Sequence, residues 1–178
     1  LGIESIYEYG SRSGFWRIAN IFDNNKIPVT YFVCAMALLN NNKIAEYIKK
    51  SKNDVCGHGY RWIEHFKMKR SSEKENIKKA YNLILKLTLK KPIGWYCRYA
   101  PSENTRELLV EHGKFLYDSD AYNDDLPYWE DGLFGTEQYE TLHEIADWYD
   151  ESTGEDGDDK VWKARHLVIP YTLDVNDM

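Results

Sequence analysis

The sequence predicts a parallel α/β fold within a single domain, and three observations lead there. Short runs rich in β-branched and aromatic residues alternate with amphipathic stretches of helical period. Gly, Pro, Ser and Asn punctuate the joints between them. A chain of 178 residues, 43% hydrophobic and 15% aromatic, has enough apolar material for one core. In folds of this kind, functional side chains gather where the strands' C-terminal ends meet their loops.

Taken in order, SIYEYGSRSGFWRI sets Glu8 and Arg12 around a Gly/Ser turn, ahead of a helix carrying Phe15, Trp16, Ile18, Ala19 and Phe22. IPVTYFVCAMALL (27–39) suits a buried strand behind Pro28, although its second half equally suits the start of a helix. In NNNKIAEYIKKS, Ile44, Ala45, Tyr47 and Ile48 fall at helical spacing, and NDVCGHG returns to strand character. SSEKENIKKAYNLILKLTLKK predicts a helix: Ser71 or Ser72 caps it, and Glu75, three residues beyond Ser72, completes a capping box. Its apolar stripe is Ile77, Ala80, Tyr81, Ile84, Leu85 and Thr88.

PIGWYCRYAP is a short strand ending in a Pro-marked loop, and SENTRELLVEHGK a helix capped by Ser102 or Asn104 and closed by Gly113. FLYDSDAY is strand-like and runs into the polar loop NDDLPYW. Residues 131–163 form an acidic insertion, with a short helix expected over Tyr139–Tyr149 and a mobile loop over 150–160. HLVIPYTLDVNDM restores a strand. The chain starts at Leu1 and stops at Met178 directly after strand-like sequence, so both ends read as cut.

A formal charge of −6 and the lack of any Lys/Arg run interleaved with aromatics exclude nucleic acid as the main partner. No apolar run reaches the roughly 20 residues of a membrane helix, so no membrane role is expected. Three widely spaced cysteines, 34, 56 and 97, suggest neither a disulfide framework nor a thiolate zinc site; reduced thiols and a cytoplasmic location are the expectation. GxSxG, HExxH and phosphate-cradling Gly loops are missing, which removes acyl-serine and P-loop chemistry.

His58 sits between two glycines just after a strand, where other groups can approach its imidazole closely. Trp62 occupies the fourth position after it, and an indole has no lone pair to give a metal. Trp95, Tyr96 and Arg98 mark a second strand end, where an arginine can pin a carboxylate or a substrate carbonyl. Asp118, Asp120, Asp124 and Asp125 lie between a third strand and Trp129, and carboxylates there could orient a histidine or tune its pKa. Asp174 and Asn176 are polar groups just after the last strand.

Together EYGSRSGFWR, HGYRWIEH, GWYCR, FLYDSDAYNDDLPYW and HLVIPYTLDVNDM resemble the polysaccharide deacetylase (NodB-homology) superfamily, and within it the branch of metal-independent allantoinases. The resemblance runs from about Ile3 to Met178, apart from the acidic stretch. It implies a distorted (β/α) barrel, here incomplete at both ends, with the first acidic motif before Leu1 and the last strands after Met178. Metal-dependent members hold an ion with an early Asp and an HxxxH pair. With Trp62 at the second histidine position, the resemblance implies a metal-free His58 and no cofactor.

Carried over by position, Arg98 and Pro101 match the arginine motif, Asp124 or Asp125 with Trp129 the acidic-aromatic motif, and Tyr171, Asp174 and Asn176 the late strand end. His58, Arg98, Asp124 and Asp125 are thus the catalytic candidates. Glu8, Arg12, Trp62, Trp95, Tyr96, Trp129, Tyr171, Asp174 and Asn176 are the substrate-binding candidates. The implied reaction is hydrolysis of the cyclic amide of allantoin. The alternatives are N-deacetylation of chitin or a related N-acetylated glycan, or a non-catalytic remnant or binding subunit; a homo-oligomer is compatible with each.

Overall fold

A computed structural model describes Ser5, residues 8–134 and residues 163–171. A π-helical turn, Gly10–Gly14, leads into helix α1 (Phe15–Asn25). Strand β1 (Thr30–Val33), helices α2 (Ala35–Leu39) and α3 (Asn42–Lys50) and strand β2 (Asp54–Gly57) follow. After a 3-10 turn at His65–Lys67 come helix α4 (Arg70–Thr88), strand β3 (Gly94–Trp95) and helix α5 (Thr105–His112). Strands β4 (Tyr117–Asp118), β5 (Tyr128–Phe134) and β6 (Lys163–Val168) complete the described elements.

The strands lie in the order β1-β2-β3-β4-β6-β5. All neighbouring pairs are parallel except β5, which runs antiparallel to β6. From β1 to β4 every crossover steps to the next position in the same direction, so right-handed connections carry the helices to one face. That is the winding of a (β/α) barrel rather than of a doubly wound sheet, which reverses at a switch point. Among the described residues the sheet is an open arc.

The run 27–39 divides between two elements: β1 ends at Val33 and α2 begins at Ala35. Ala35 and Met36 donate their amides to the carbonyls of Gly59 and Tyr60, which fastens the start of α2 to the loop carrying His58. Helix α4 keeps its expected stripe, with Ile77, Ala80, Tyr81, Ile84 and Thr88 buried and Leu85 half-buried. Its expected capping box does not form. The helix starts at Arg70 with Lys69 at the cap and no side-chain cap bond, leaving Ser71 and Ser72 inside the first turn. Arg70 instead pairs with Glu111 of α5, as does Lys74 at 3.0 Å, so contact with the next helix fixes where α4 begins.

Asn104 occupies the N-cap of α5 without a side-chain cap bond, while Ser102 Oγ accepts the Asn104 amide at 3.0 Å. Gly113 closes the helix at φ 70°, donating to the carbonyls of Leu109 and Val110. At the centre of the core lies Trp95, fully buried with Ile48, Ile77, Ile84, Leu108, Leu109 and Phe115. Each such side chain contributes about 1.5–3 kcal/mol of transfer free energy. Trp95, a substrate-binding candidate by sequence, is 0% exposed, because strand β3 turns it into the core. Two glycines make room for aromatic rings: a Cβ on Gly57 would stand 2.7 Å from Trp95 Cε3, and one on Gly94 2.0 Å from Tyr117 Cζ.

Strands β5 and β6 reach into both edges of the stretch taken as an acidic insertion. The expected helix over Tyr139–Tyr149 and the loop over 150–160 lie outside the described residues. All three cysteines are free. No helix of the described residues is long and apolar enough to cross a membrane.

Candidate active site

Every parallel strand hands its last hydrogen bonds to the loop that follows, and those loops converge. His58 donates its amide to Val33 O, Tyr96 to Gly57 O, Ser119 to Trp95 O and Ile169 to Asp118 O, each at 2.9 Å. The residues just beyond β2, β3, β4 and β6 are therefore tied by backbone hydrogen bonds to the neighbouring strands. His58, Tyr96 to Arg98, Ser119 to Asp120 and Tyr171 all sit on this rim.

His58 is half-buried, and its Nδ1 lies 2.7 Å from Tyr96 O. A carbonyl can only accept, so Nδ1 carries the proton and Nε2 is the acceptor nitrogen. Burial holds the His58 pKa below its usual 6.5; the Tyr96 carbonyl opposes that shift and the Arg98 charge reinforces it. A neutral imidazole with a fixed tautomer is what a general base requires.

Arg98 lies between two exposed rings. Its guanidinium carbon is 3.5 Å from the centre of the Trp62 ring and 3.6 Å from that of Tyr99. It donates to Trp62 O at 3.0 Å and bonds Tyr99 Oη. Tyr99 takes a left-handed φ of 66°, an uncommon backbone state for a bulky residue, to lay its ring there. Beside this stack a second aromatic surface forms: Tyr96 lies parallel to both His58 and Tyr171, at 5.3 and 4.9 Å, and its hydroxyl is 2.8 Å from that of Tyr122.

A charged network lies under the rim. Asp118, the last residue of β4, is buried and accepts from Arg106 Nε at 2.8 Å, with His166 Nε2 of β6 at 3.1 Å. Burial alone would raise the Asp118 carboxyl, but His166 and Arg106 outweigh it and hold it at about 2. Two residues on, Asp120 accepts the Cys97 amide at 2.7 Å, while its buried Oδ2 finds no partner among the described residues. Burial pushes the Asp120 carboxyl up to about 7; the Cys97 amide pulls against that, and the Asp118 charge adds to it. A cavity of about 260 Å³, lined by Pro101, Ser102, Thr105, Arg106, Asp118 and Asp120 among others, opens beside the pair.

Of the residues expected from the sequence, the structure brings together His58, Tyr96, Arg98, Trp62 and Tyr171. Glu8 and Arg12 pair with each other at 3.4 Å on the surface, and no described contact ties either to His58. Asp124 and Asp125 are exposed, and Asp124 Oδ1 accepts the amides of Asp125 and Leu126 as an ordinary turn cap. They lie six and seven residues beyond the end of β4 at Asp118, and no described contact joins either to His58. Trp129 lies on β5 opposite Leu167, partly exposed. Asp174 and Asn176 lie outside the described residues. Asp118 and Asp120 at the end of β4 are the buried or half-buried carboxylates of the FLYDSDAYNDDLPYW segment, whereas the sequence motif favours the exposed Asp124 and Asp125. Arg106 and His166 gave no signal except their proximity to strand ends.

A family model described as polysaccharide deacetylase matches residues 3–114. The chain belongs to the polysaccharide deacetylase family. A Schizosaccharomyces pombe protein named "Putative polysaccharide deacetylase" is 36% identical over 183 residues, covering 99% of this chain and 51% of that one. The crystal structure of Puue allantoinase matches with a TM-score of 0.76 at 39% identity, over 99% of this chain and 49% of that one. The crystal structure of a "probable Polysaccharide deacetylase" from Pseudomonas aeruginosa PAO1 matches at 0.75 and 39%, with the same coverage. The chain spans about half the length of these relatives.

Metal-dependent deacetylases hold an ion through a histidine pair, and that chemistry can be tested against the rim. Trp62, at the position of the second histidine, gives its carbonyl to Arg98 and its ring to the same guanidinium. Among the described residues, the one group of three or more His, Cys, Asp or Glu side chains close enough to share an ion does not include His58. The nearby charge is a cation, Arg98, which a second cation would oppose.

Proposed function

We propose that the protein is a hydrolase of non-peptide carbon–nitrogen bonds that opens the cyclic amide of allantoin without a metal at His58. One observation carries this reading: the Nδ1 proton of His58 is committed to Tyr96 O, burial and the Arg98 cation beside it hold the imidazole pKa below 6.5, and among the described residues no cluster of metal-ligating side chains includes it. The 39% identity to Puue allantoinase supports the substrate. In the proposed step, Nε2 of His58 takes a proton from water as the water oxygen attacks the ring carbonyl. The carbonyl oxygen becomes negative, and Arg98 is the cation at hand to receive that charge. Collapse breaks the C–N bond, and the proton held by His58 passes to the leaving nitrogen. General acid/base help of this kind is worth roughly 10²- to 10⁴-fold.

A second reading, removal of acetyl groups from an N-acetylated glycan, draws on the exposed Trp62 and Tyr99 rings, which could stack sugar faces, and on the deacetylase names of the relatives. The deciding experiment follows allantoate release from allantoin and acetate release from N-acetylglucosamine oligomers side by side, in the protein and in His58→Ala. Allantoin turnover, lost by about 10²-fold or more in the variant, bears out the proposal. Acetate release alone supports the glycan reading, and unchanged turnover in His58→Ala removes His58 from the mechanism.

A further inference from the structure

Behind the His58 loop, three side chains with metal-ligating atoms converge from three segments. His65 opens the 3-10 turn, Glu73 lies in the first turn of α4 and Cys97 follows β3. All three are 0% exposed, and one donor atom from each lies within 4.8 Å of the others. His65 Nδ1 is 3.7 Å from Cys97 Sγ and 3.9 Å from Glu73 Oε1. The second distance is too long for a hydrogen bond. Tetrahedral zinc would set N and S about 3.6 Å apart and N and O about 3.4 Å apart. Both distances from His65 are therefore within about half an ångström of a tetrahedral site.

The donor types point the same way. Glu73 is a fully buried carboxyl group whose hydrogen-bond partners are two hydroxyls, those of Ser102 and Thr105. Among the described residues its single basic neighbour is His65. A divalent ion bound to one carboxylate, one thiolate and one neutral imidazole would leave the cluster with no net charge.

We infer that His65, Glu73 and Cys97 form a site for one zinc-class divalent cation, which fastens the loops after β2 and β3 to helix α4. The mixed N, S and O donor set suits zinc or cobalt rather than magnesium or calcium. Binding replaces the S–H bond of Cys97 with a sulfur–metal bond, and the proton leaves to solvent. The ion does not touch substrate, but it holds the backbone that does. A Cβ on Gly59, next to His58, would stand 3.0 Å from His65 Nε2, and Cys97 directly follows the Tyr96 carbonyl that orients His58. The inference is independent of the substrate reading.

The test is cobalt titration of protein stripped of metal, with elemental analysis of the protein as purified. Expected are one cobalt ion per chain, thiolate-to-cobalt charge-transfer absorption, one proton released per ion and a rise in Tm. In Cys97→Ser the absorption disappears and affinity falls on the order of 100-fold or more, whereas His58→Ala keeps both, which separates this site from the catalytic reading. A stripped wild type that takes up no cobalt, or takes it up without the thiolate absorption, overturns the inference whether or not Cys97→Ser folds. So does undiminished affinity in Cys97→Ser.

Discussion

At the scale of single residues, the rim is tuned by what each titratable group touches. The largest influence on His58 is burial, but Arg98 also acts on it, and that contribution can be removed separately. Arg98→Gln is expected to raise the His58 pKa toward 6.5, followed by NMR titration of the ring; a fall would contradict the electrostatic reading. In kcat/KM the same change should move the acid limb to higher pH, because more imidazole is protonated at a given pH. Asp120 offers a stability test. Its folded-state pKa, about 7, is raised above the usual carboxyl value. Its contribution to stability is therefore full below the unfolded pKa, about 4, and is lost as pH rises through 7. Asp120→Asn, which keeps an oxygen for the Cys97 amide, should flatten that decline and stabilise the protein above pH 7 by on the order of 1–3 kcal/mol. Tm measured from pH 4 to 8 checks it; parallel wild-type and variant curves would refute it.

At the scale of elements, strand contacts depend on absent side chains as much as on present ones. Gly94 lies where Tyr117 of the neighbouring strand crosses β3, and an added Cβ would overlap that ring at 2.0 Å. Gly94→Ala should destabilise by about 3 kcal/mol or more, at the upper end of overpacking effects, unless Tyr117 moves. Denaturant midpoints measure this, and a loss below 1 kcal/mol would mean that the strands shift freely. The periodicity of α4 was legible because its stripe needs only local sequence. Its start was not, because Arg70 and Lys74 answer to Glu111 on another helix rather than to the serines beside them. Trp95 shows the same limit: a tryptophan at a strand end reads as a binding residue until the sheet decides which way it faces.

At the scale of the whole molecule, successive strands step in one direction and deliver their C-terminal ends to one rim. Asp118 secures that rim by joining Arg106 of α5 and His166 of β6 to β4. Asp118→Ala leaves the Arg106 guanidinium without its buried partner, and losses of about 3–5 kcal/mol are typical when one member of a buried ion pair is removed. Since Arg106 also reaches Glu130 at 3.3 Å, the lower end of that range is expected. A thermal shift within experimental error would show that the rim does not depend on the pair.

The sequence by itself determined the α/β alternation and the family, because these rest on local periodicity and on contiguous motifs. It also marked Trp62 as a residue that cannot replace a histidine ligand. Only the tertiary structure decided which carboxylates approach the rim, since Asp118, Asp120, Asp124 and Asp125 are equivalent in composition and differ only in where β4 ends. Only the tertiary structure brought His65, Glu73 and Cys97 into one buried cluster, because they lie on three segments that meet only when the sheet and helices pack. Sequence pattern records what a residue does for its own element; which distant groups it meets is set by the packing of elements against one another.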